Sequence, residues 1–397
     1  MACLNPAREV STAPPQHVEV ASNSLSRRSW LGFMAGAALA AERAAGQRIP
    51  AGVKAIIART LSQEVGSINT DWFGTMLMKG LLEWSRLGVP EGREFSQRWL
   101  DFHLKSDGIA PFSGAKARVV RAGGIFISTY AGHFGLSFPC YEMVNQCEDE
   151  RARAVCLGIA DVILHQTKRN DRGMVMHDDL ADFTIPDVCY FVVTPLMIAS
   201  VLDKKYGKVY RDQAVFQLRS FIDVFLMKDT GLARTILLPS GLGKSYWTRA
   251  SGWLLWGITG VLRHLPPGDP EFRGFVADLN ALASGIARVQ DVGGGLHVFL
   301  NDRTSPLETT GTAMCAMGLH EGVRKAWLPA SFQPVAEKAW RYVQDHITPE
   351  GQITGAYTAW AVPAEKGVLA MDKVQMPWIP GFILSTAYEM TADRGAS

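Results

Sequence analysis

The sequence predicts an all-α protein, an (α/α)6 toroid in which six helical hairpins close into a ring. Three observations carry this. Helical periodicity recurs along the chain after residue 50, strand-like alternation is scarce, and the connections alternate between tight turns and long loops rich in Gly and Pro.

The periodic segments begin weakly at Val53–Val65. Trp72, Met76, Leu77, Gly80, Leu81 and Trp84 then fall on one helical face, as do Phe95, Trp99 and Phe102. Further apolar segments lie near 134–146, 152–166, 187–206, 210–228, 249–265, 272–290, 306–323, 332–347 and 377–390, about twelve helices by pattern. The turns at Gly207-Lys208 and at Gly322–Pro329 are tight. The loops Asp107–Gly124, Lys168–Thr184, Asp229–Ser245, Asp291–Thr304 and Pro349–Gln375 are long. Long loops in a compact domain carry function or cover a site, so the cleft is expected at their end of the ring. An α-solenoid is the rival, but no fixed-period repeat is visible.

Composition narrows the class. Of 397 residues, 47% are hydrophobic and 20% charged, with a net charge of +2. That suits a globular domain and offers no basic field for nucleic acid. Ser26-Arg27-Arg28-Ser29-Trp30-Leu31 precedes a small-residue apolar stretch, and Ala38-Leu39-Ala40 fits a cleavage site. Residues 1–46 therefore read as a twin-arginine export signal and leader, and 47–397 as a single domain working in the periplasm or outside the cell, with no membrane association beyond export. Cys140, Cys147, Cys156, Cys189 and Cys315 form no Cys-x-x-Cys pair and read as small buried hydrophobes.

Gly-x-Ser-x-Gly, His-Glu-x-x-His and Walker signatures are missing, and neither a metal nor another cofactor is expected. His177–Asp182 lacks the alternating ligands and glycine turn of a calcium loop and reads as a solvated acidic loop. Ser305-Pro306-Leu307-Glu308 reads as a capping box with proline at the first helical position.

Tyr246-Trp247-Thr248-Arg249-Ala250-Ser251-Gly252-Trp253 crowds two indoles and a guanidinium at a helix start, ahead of the apolar run Leu254–Leu262. Two readings are open. Trp253 and Trp256 can be core anchors with Arg249 in a surface ion pair. Alternatively Trp247 and Trp253 can seat a sugar whose carboxylate Arg249 grips through two parallel hydrogen bonds. Asp187, after Pro186, is likewise either a first-turn partner of the helix dipole or a proton donor raised by its neighbours Val188, Tyr190 and Phe191.

These residues, with Gly295-Leu296-His297, Leu307–Met314, Gly322-Val323-Arg324 and Pro377–Phe382 in the same order, resemble the motifs of the unsaturated glycuronyl hydrolases, glycoside hydrolase families 88 and 105. The likeness spans most of 70–390. It implies the (α/α)6 toroid and an exported hydrolase that adds water across the C4=C5 bond of a terminal unsaturated uronic acid on an oligosaccharide. It further implies Asp187, in Ile185–Phe191, as acid/base, with Arg249, Trp247, Trp253 and His297 binding substrate. Tyr130 stands where the family has a second aspartate, Ile236–Pro239 where it has His-Gly-Trp, Ser251 for an asparagine and Ile185 for a tryptophan. Tyr130 or His133 is the expected replacement proton-transfer group, and Arg121 a different carboxylate clamp. A hydrolase or lyase of saturated uronides, or a non-catalytic sugar-binding relative, are the alternatives. Oligomeric state is not legible.

Overall fold

The structure, a computed structural model, describes residues 49–106, 117–357, 376 and 378–392. The export leader expected over 1–46 lies outside them, as do 107–116 and 358–375 of two expected loops. Among the described residues twelve α-helices occur: α1 (Ala51–Leu61), α2 (Trp72–Ser85), α3 (Pro90–Lys105), α4 (Ser137–Cys147), α5 (Glu150–His165), α6 (Pro186–Leu202), α7 (Gly207–Phe225), α8 (Thr248–Leu262), α9 (Phe272–Val289), α10 (Thr309–Arg324), α11 (Gln333–Asp345) and α12 (Trp378–Ala392).

Even-numbered helices form the inner ring and odd-numbered ones the outer layer. The division follows from sequence. In α8 every residue from Thr248 to Leu262 is buried, so the helix is apolar all round. In α11 only Ala336, Ala339, Trp340, Tyr342 and Val343 are buried, a single stripe facing inward. The ring closes where its first and last inner helices meet. Trp84 Nε1 donates to the Leu384 carbonyl at 3.0 Å and Lys79 Nζ to Ser385 Oγ at 3.1 Å. A Cβ on Gly381 would sit 2.6 Å from the Met76 carbonyl carbon, so only glycine lets α12 approach the α2 backbone this closely. Elsewhere around the ring, Trp256 Nε1 donates to the Met314 carbonyl at 2.9 Å and Thr386 Oγ1 to the Ala313 carbonyl at 3.1 Å.

Three antiparallel two-stranded ribbons decorate the connections that lead into inner helices. β1 (Val119–Ala122) pairs with β2 (Ile125–Ser128), Val119 opposite Ser128. β3 (Leu237–Leu238) pairs with β4 (Gly241–Leu242), and β5 (Leu296–His297) with β6 (Leu307–Glu308). The last pairing corrects the expected capping box. Leu307 and Glu308 stay extended to pair with β5, so α10 starts at Thr309 and Glu308 is its cap, accepting from Thr310 N at 3.0 Å and from Gly311 N. Of the cysteines after the leader, Cys140, Cys156, Cys189 and Cys315 are buried, Cys147 is half-buried, and all are free thiols, as expected. No described helix is long and apolar enough to cross a membrane.

Candidate active site

Long connections precede the inner helices and short ones follow them, so the N-termini of the inner helices gather on the long-loop end. Backbone N–H groups left over at those N-termini favour anions there. The side chains collected at this end come from α2, the 3-10 turn Ala131–Leu136, α6, α8, α10 and α12.

Asp187 lies in the first turn of α6, behind Ile185 as cap and Pro186 at the first position. Its Oδ1 is buried and has no hydrogen-bond partner within the described protein. Burial raises its carboxyl from 3.8 to about 6, against the opposing pull of the Arg249 guanidinium, its own backbone N–H, His177 and the Trp253 side chain. A carboxyl in that range is a proton donor and acceptor near neutrality.

Arg249, in the first turn of α8, is buried rather than in a surface ion pair. Its Nη1 donates to the Tyr357 carbonyl at 2.5 Å and to Thr310 Oγ1 at 3.2 Å, and lies 3.6 Å from Glu308 Oε1. The guanidinium sits 4.0 Å from the Trp247 ring centroid and 4.9 Å from that of Trp378. Two indoles and a buried carboxylate thus fix its plane. Trp247 caps α8 and is itself buried, with its indole N–H unpartnered.

Trp253 is 1% exposed. It packs within 5.0–6.2 Å of Phe191, Phe382, Tyr190, Trp256 and Trp72, ring centroid to centroid. The core-anchor reading describes its packing: Trp253 is the aromatic floor under Asp187 and presents no open ring face for stacking.

Tyr130 and His133 flank the start of the 3-10 turn. Burial, then the charges of Asp71 and Asp187, push the Tyr130 phenol well above its ordinary range. His133 Nδ1 faces Ser128 Oγ at 2.5 Å and accepts the Ser128 N–H at 3.4 Å, which leaves the proton on Nε2, a buried atom without a partner. Burial lowers its imidazole to about 4, so it is a neutral donor at pH 7. His297 abuts α8 through its carbonyl, which accepts from Thr248 Oγ1, while its ring Nδ1 is engaged by the Ser305 carbonyl at 2.5 Å. Arg121 is not a clamp in this cluster. It is exposed on β1 with its guanidinium 5.4 Å from the Phe126 ring centroid.

Three parts of the site escape sequence reasoning. The segment read as a solvated acidic loop buries its first two residues. His177 Nδ1 donates to Asp178 Oδ2 at 2.9 Å, and its ring lies 5.0 Å from Tyr130 and 4.9 Å from Phe183. Burial pushes the Asp178 carboxyl up, but hydrogen bonds from His177, Leu180 N and Ala181 N outweigh it and hold the group below its usual range. Asp71, the cap of α2, is fully buried; burial raises it from 3.8 to about 6 despite hydrogen bonds from Phe73 N, Gly74 N and Asn69. Glu308 holds Arg249 as well as capping α10. Aspartate ahead of an apolar run at Trp72 is a legible cap signal; nothing linear says that its charge acts, with that of Asp187, on the buried Tyr130 phenol. Among the described residues no group of acidic, His and Cys side chains could hold a metal ion.

The ring of six helical hairpins thus brings a raised carboxyl and an indole-flanked guanidinium to the N-termini of its inner helices, a pairing suited to proton transfer beside an anion. The comparisons with known proteins identify the family. The model of Glycosyl Hydrolase Family 88 matches residues 54–392, and the chain belongs to that family. It is similar to the unsaturated rhamnogalacturonyl hydrolase YesR of Bacillus subtilis, 23% identical over 328 residues that make up 80% of this chain and 86% of the relative. A shorter match, 26% over 152 residues, covers 38% of this chain and 32% of an unsaturated 3S-rhamnoglycuronyl hydrolase of Alteromonas. Among solved structures, a possible family 105 member from Klebsiella pneumoniae superposes with a TM-score of 0.72 at 18% identity, covering 98% of this chain and all (100%) of that one. One from Salmonella enterica serovar Paratyphi A gives 0.71 at 21%, covering 87% and 93%. These structures share the fold.

Proposed function

We propose that this glycoside hydrolase hydrates the C4=C5 bond of a terminal unsaturated uronic acid on an oligosaccharide, with Asp187 as acid and base. The observation that carries the reading is the Asp187 carboxyl: buried on one oxygen, unpartnered there, raised to about 6, and within the field of Arg249. The names of the curated relatives supply the substrate class. In this reaction the Asp187 carboxyl gives its proton to C4 of the enol ether. The carboxylate so formed takes a proton from water as its oxygen bonds to C5. The hemiketal then opens and releases the remaining sugar, and Asp187 ends as it began. Arg249 and the neutral His133 Nε2–H are the donors that suit the uronate carboxylate and ring hydroxyls.

The test uses unsaturated uronides made by polysaccharide lyases and follows loss of the enol-ether ultraviolet absorbance. Wild-type protein is expected to remove it and Asp187→Asn to be slower by at least about a thousandfold, the order of a lost general acid/base. Folded wild type inert on a panel of such uronides refutes the substrate class; full activity in Asp187→Asn refutes the mechanism. We also propose export through the Arg27-Arg28 signal. Cell fractionation should find the mature chain outside the cytoplasm, and a cytoplasmic chain with its leader intact in a host that has the twin-arginine system would rule it out.

A further inference from the structure

Two imidazoles flank Tyr130, and their Nδ1 partners lock them in opposite tautomers. The His133 ring lies 5.9 Å from the Tyr130 ring and the His177 ring 5.0 Å, centroid to centroid. His133 Nδ1 accepts the Ser128 N–H at 3.4 Å, so its proton is on Nε2. His177 Nδ1 faces Asp178 Oδ2 at 2.9 Å. A carboxylate can only accept, so His177 carries its proton on Nδ1, and its Nε2 is left with a lone pair. One ring therefore offers an N–H beside Tyr130 and the other an acceptor.

Asp178 does more than shape its loop. Its Oδ1 accepts from Leu180 N at 2.9 Å and from Ala181 N at 2.8 Å, a turn that asparagine makes equally well. Oδ2 is not needed for that turn and faces the imidazole instead. The segment is anchored on both sides. Asp179 Oδ2 accepts from Arg118 Nε at 2.9 Å and from Thr129 Oγ1 at 2.5 Å, and Lys168 Nζ donates to the Ala181 carbonyl at 2.7 Å. The His177 backbone joins two walls of the site. Its carbonyl accepts from Ala131 N at 3.1 Å, next to Tyr130, and its N–H donates to the Phe183 carbonyl at 3.4 Å, on the segment that leads to Asp187. Packing between Tyr130 and Phe183 asks only for a flat apolar ring, which phenylalanine supplies. His177 keeps 8% exposure, against 1% for His133, and its Nε2 makes no hydrogen bond among the described residues. The ring edge opposite Asp178 is thus the edge left for a ligand.

We propose that Asp178 is a positioning residue that fixes the His177 tautomer, and that His177 Nε2 accepts a hydrogen bond from a ring hydroxyl of the bound saccharide. The carboxylate of a uronic acid has no proton to give at neutral pH, and the Asp178 charge behind the imidazole repels it. The carboxylate therefore turns to Arg249 and the His133 N–H, and a hydroxyl turns to His177. The two opposite tautomers set which way round the sugar ring sits. The contact rests on the saccharide substrate proposed above; the tautomer lock does not.

Asp178→Asn tests the lock. Asparagine keeps its oxygen on Leu180 N and Ala181 N, which puts its amide NH2 in the place of Oδ2. That group donates to Nδ1 and drives the imidazole proton to Nε2. In protein with nitrogen-labelled histidine at alkaline pH, NMR should show His177 protonated on Nδ1 in wild type and on Nε2 in Asp178→Asn. The signal is identified by its loss in His177→Gln, and His133 gives the Nε2-protonated pattern as an internal standard. KM for an unsaturated uronide should rise about tenfold in Asp178→Asn with kcat within about twofold, the order of one hydrogen bond. Should that variant fold poorly, His177→Phe, which keeps the ring and loses the acceptor, should show the same rise. His177→Gln retains an acceptor oxygen near the place of Nε2, and adding Asp178→Asn to it should change KM by less than about twofold, because no tautomer remains to be set. A wild-type His177 protonated on Nε2 overturns the lock. An unchanged KM in folded Asp178→Asn or His177→Phe overturns the contact, as does an Asp178→Asn effect of equal size with and without the imidazole. Should wild type be inert on every uronide, calorimetric Kd replaces KM. A Kd about tenfold weaker in Asp178→Asn keeps the contact and only the proposed reaction fails; equal Kd values or no binding overturn the contact as well.

Discussion

Removing the Asp187 charge should stabilise the fold, by an amount that depends on pH. The carboxyl is raised from 3.8 to about 6 by burial. In the unfolded chain it ionises above pH 3.8; in the folded chain it stays protonated until about pH 6. The folded state therefore binds the proton more tightly, and the stability this brings is complete below pH 3.8 and lost as pH rises through 6. At ~1.4 kcal/mol per pH unit, the rise corresponds to ~3 kcal/mol of stability forgone at pH 8. Asparagine has no charge to bury, so Asp187→Asn should recover up to ~3 kcal/mol at pH 8 and under ~1 kcal/mol at pH 4. For a chain of this length, that is a Tm increase of ~4 °C at pH 8. Calorimetry or circular dichroism at pH 4, 6 and 8 reads it directly. An identical Tm for wild type and variant at pH 8, or a gain that is the same at pH 4 and pH 8, refutes the claim that an uncompensated buried carboxyl sits at the start of α6.

Two further predictions concern the frame that holds the site. Gly381→Val places side-chain atoms against the Met76–Leu77 backbone, where even a Cβ would approach to 2.6–2.9 Å. It should cost at least ~3 kcal/mol or prevent soluble expression, whereas Gly268→Ala, with nothing within 4 Å, should be silent in the same denaturation assay; equal Tm values for the two variants would contradict ring closure at that seam. Glu308→Ala strips α10 of its cap and leaves Arg249 without the carboxylate 3.6 Å away. Urea denaturation should show a loss of ~3–5 kcal/mol, with Glu308→Gln intermediate because it still accepts from Thr310 N; a loss under ~1 kcal/mol would mean that Arg249 is held by its carbonyl and indole contacts alone.

The fold was legible because its signal is additive. Inner helices such as α6 and α8 are buried nearly all round and outer helices such as α11 on one stripe, and many residues repeat that distinction, so a local error in one segment leaves the ring intact. Boundaries were less so. The start of α10 moved three residues, from Pro306 to Thr309, because Leu307 and Glu308 pair with Leu296 and His297 across the connection, and a long-range ladder overrides a local capping pattern. Placement was legible where a helix start is marked locally, as with Asp187 behind Pro186 in the first turn of α6 and Arg249 behind Trp247 in the first turn of α8. It was illegible where the chemistry comes from partners distant in the chain. Trp253 reads alike as a sugar platform or a core anchor until Tyr190, Phe191 and Phe382 surround it. His177 and Asp178 look like solvated polar residues until Tyr130 and Phe183 cover them.

The two ends of the inner helices hold their acids in different electrostatic settings. At their C-terminal ends, acids meet cations on their own or neighbouring helices: Lys79–Glu83 at 2.5 Å, Arg86–Glu142 at 2.6 Å, Arg263–Glu321 at 2.5 Å and Arg324–Glu389 at 2.8 Å. His320 and Arg324 outweigh the burial of Glu389 and hold it well below the usual range. At the N-terminal ends, Asp71 and Asp187 have no ion-pair partner among the described residues, only hydrogen bonds, the helix dipoles and, for Asp187, the field of Arg249. Those fields favour the ionised forms, yet desolvation wins at both groups. The one guanidinium nearby is already committed, through Glu308, the Tyr357 carbonyl and two indole faces, to a fixed plane. Since neither carboxyl has an ion-pair partner, each holds its proton up to about pH 6, which a structural ion pair would forbid and which the proposed transfer from Asp187 to an enol ether requires.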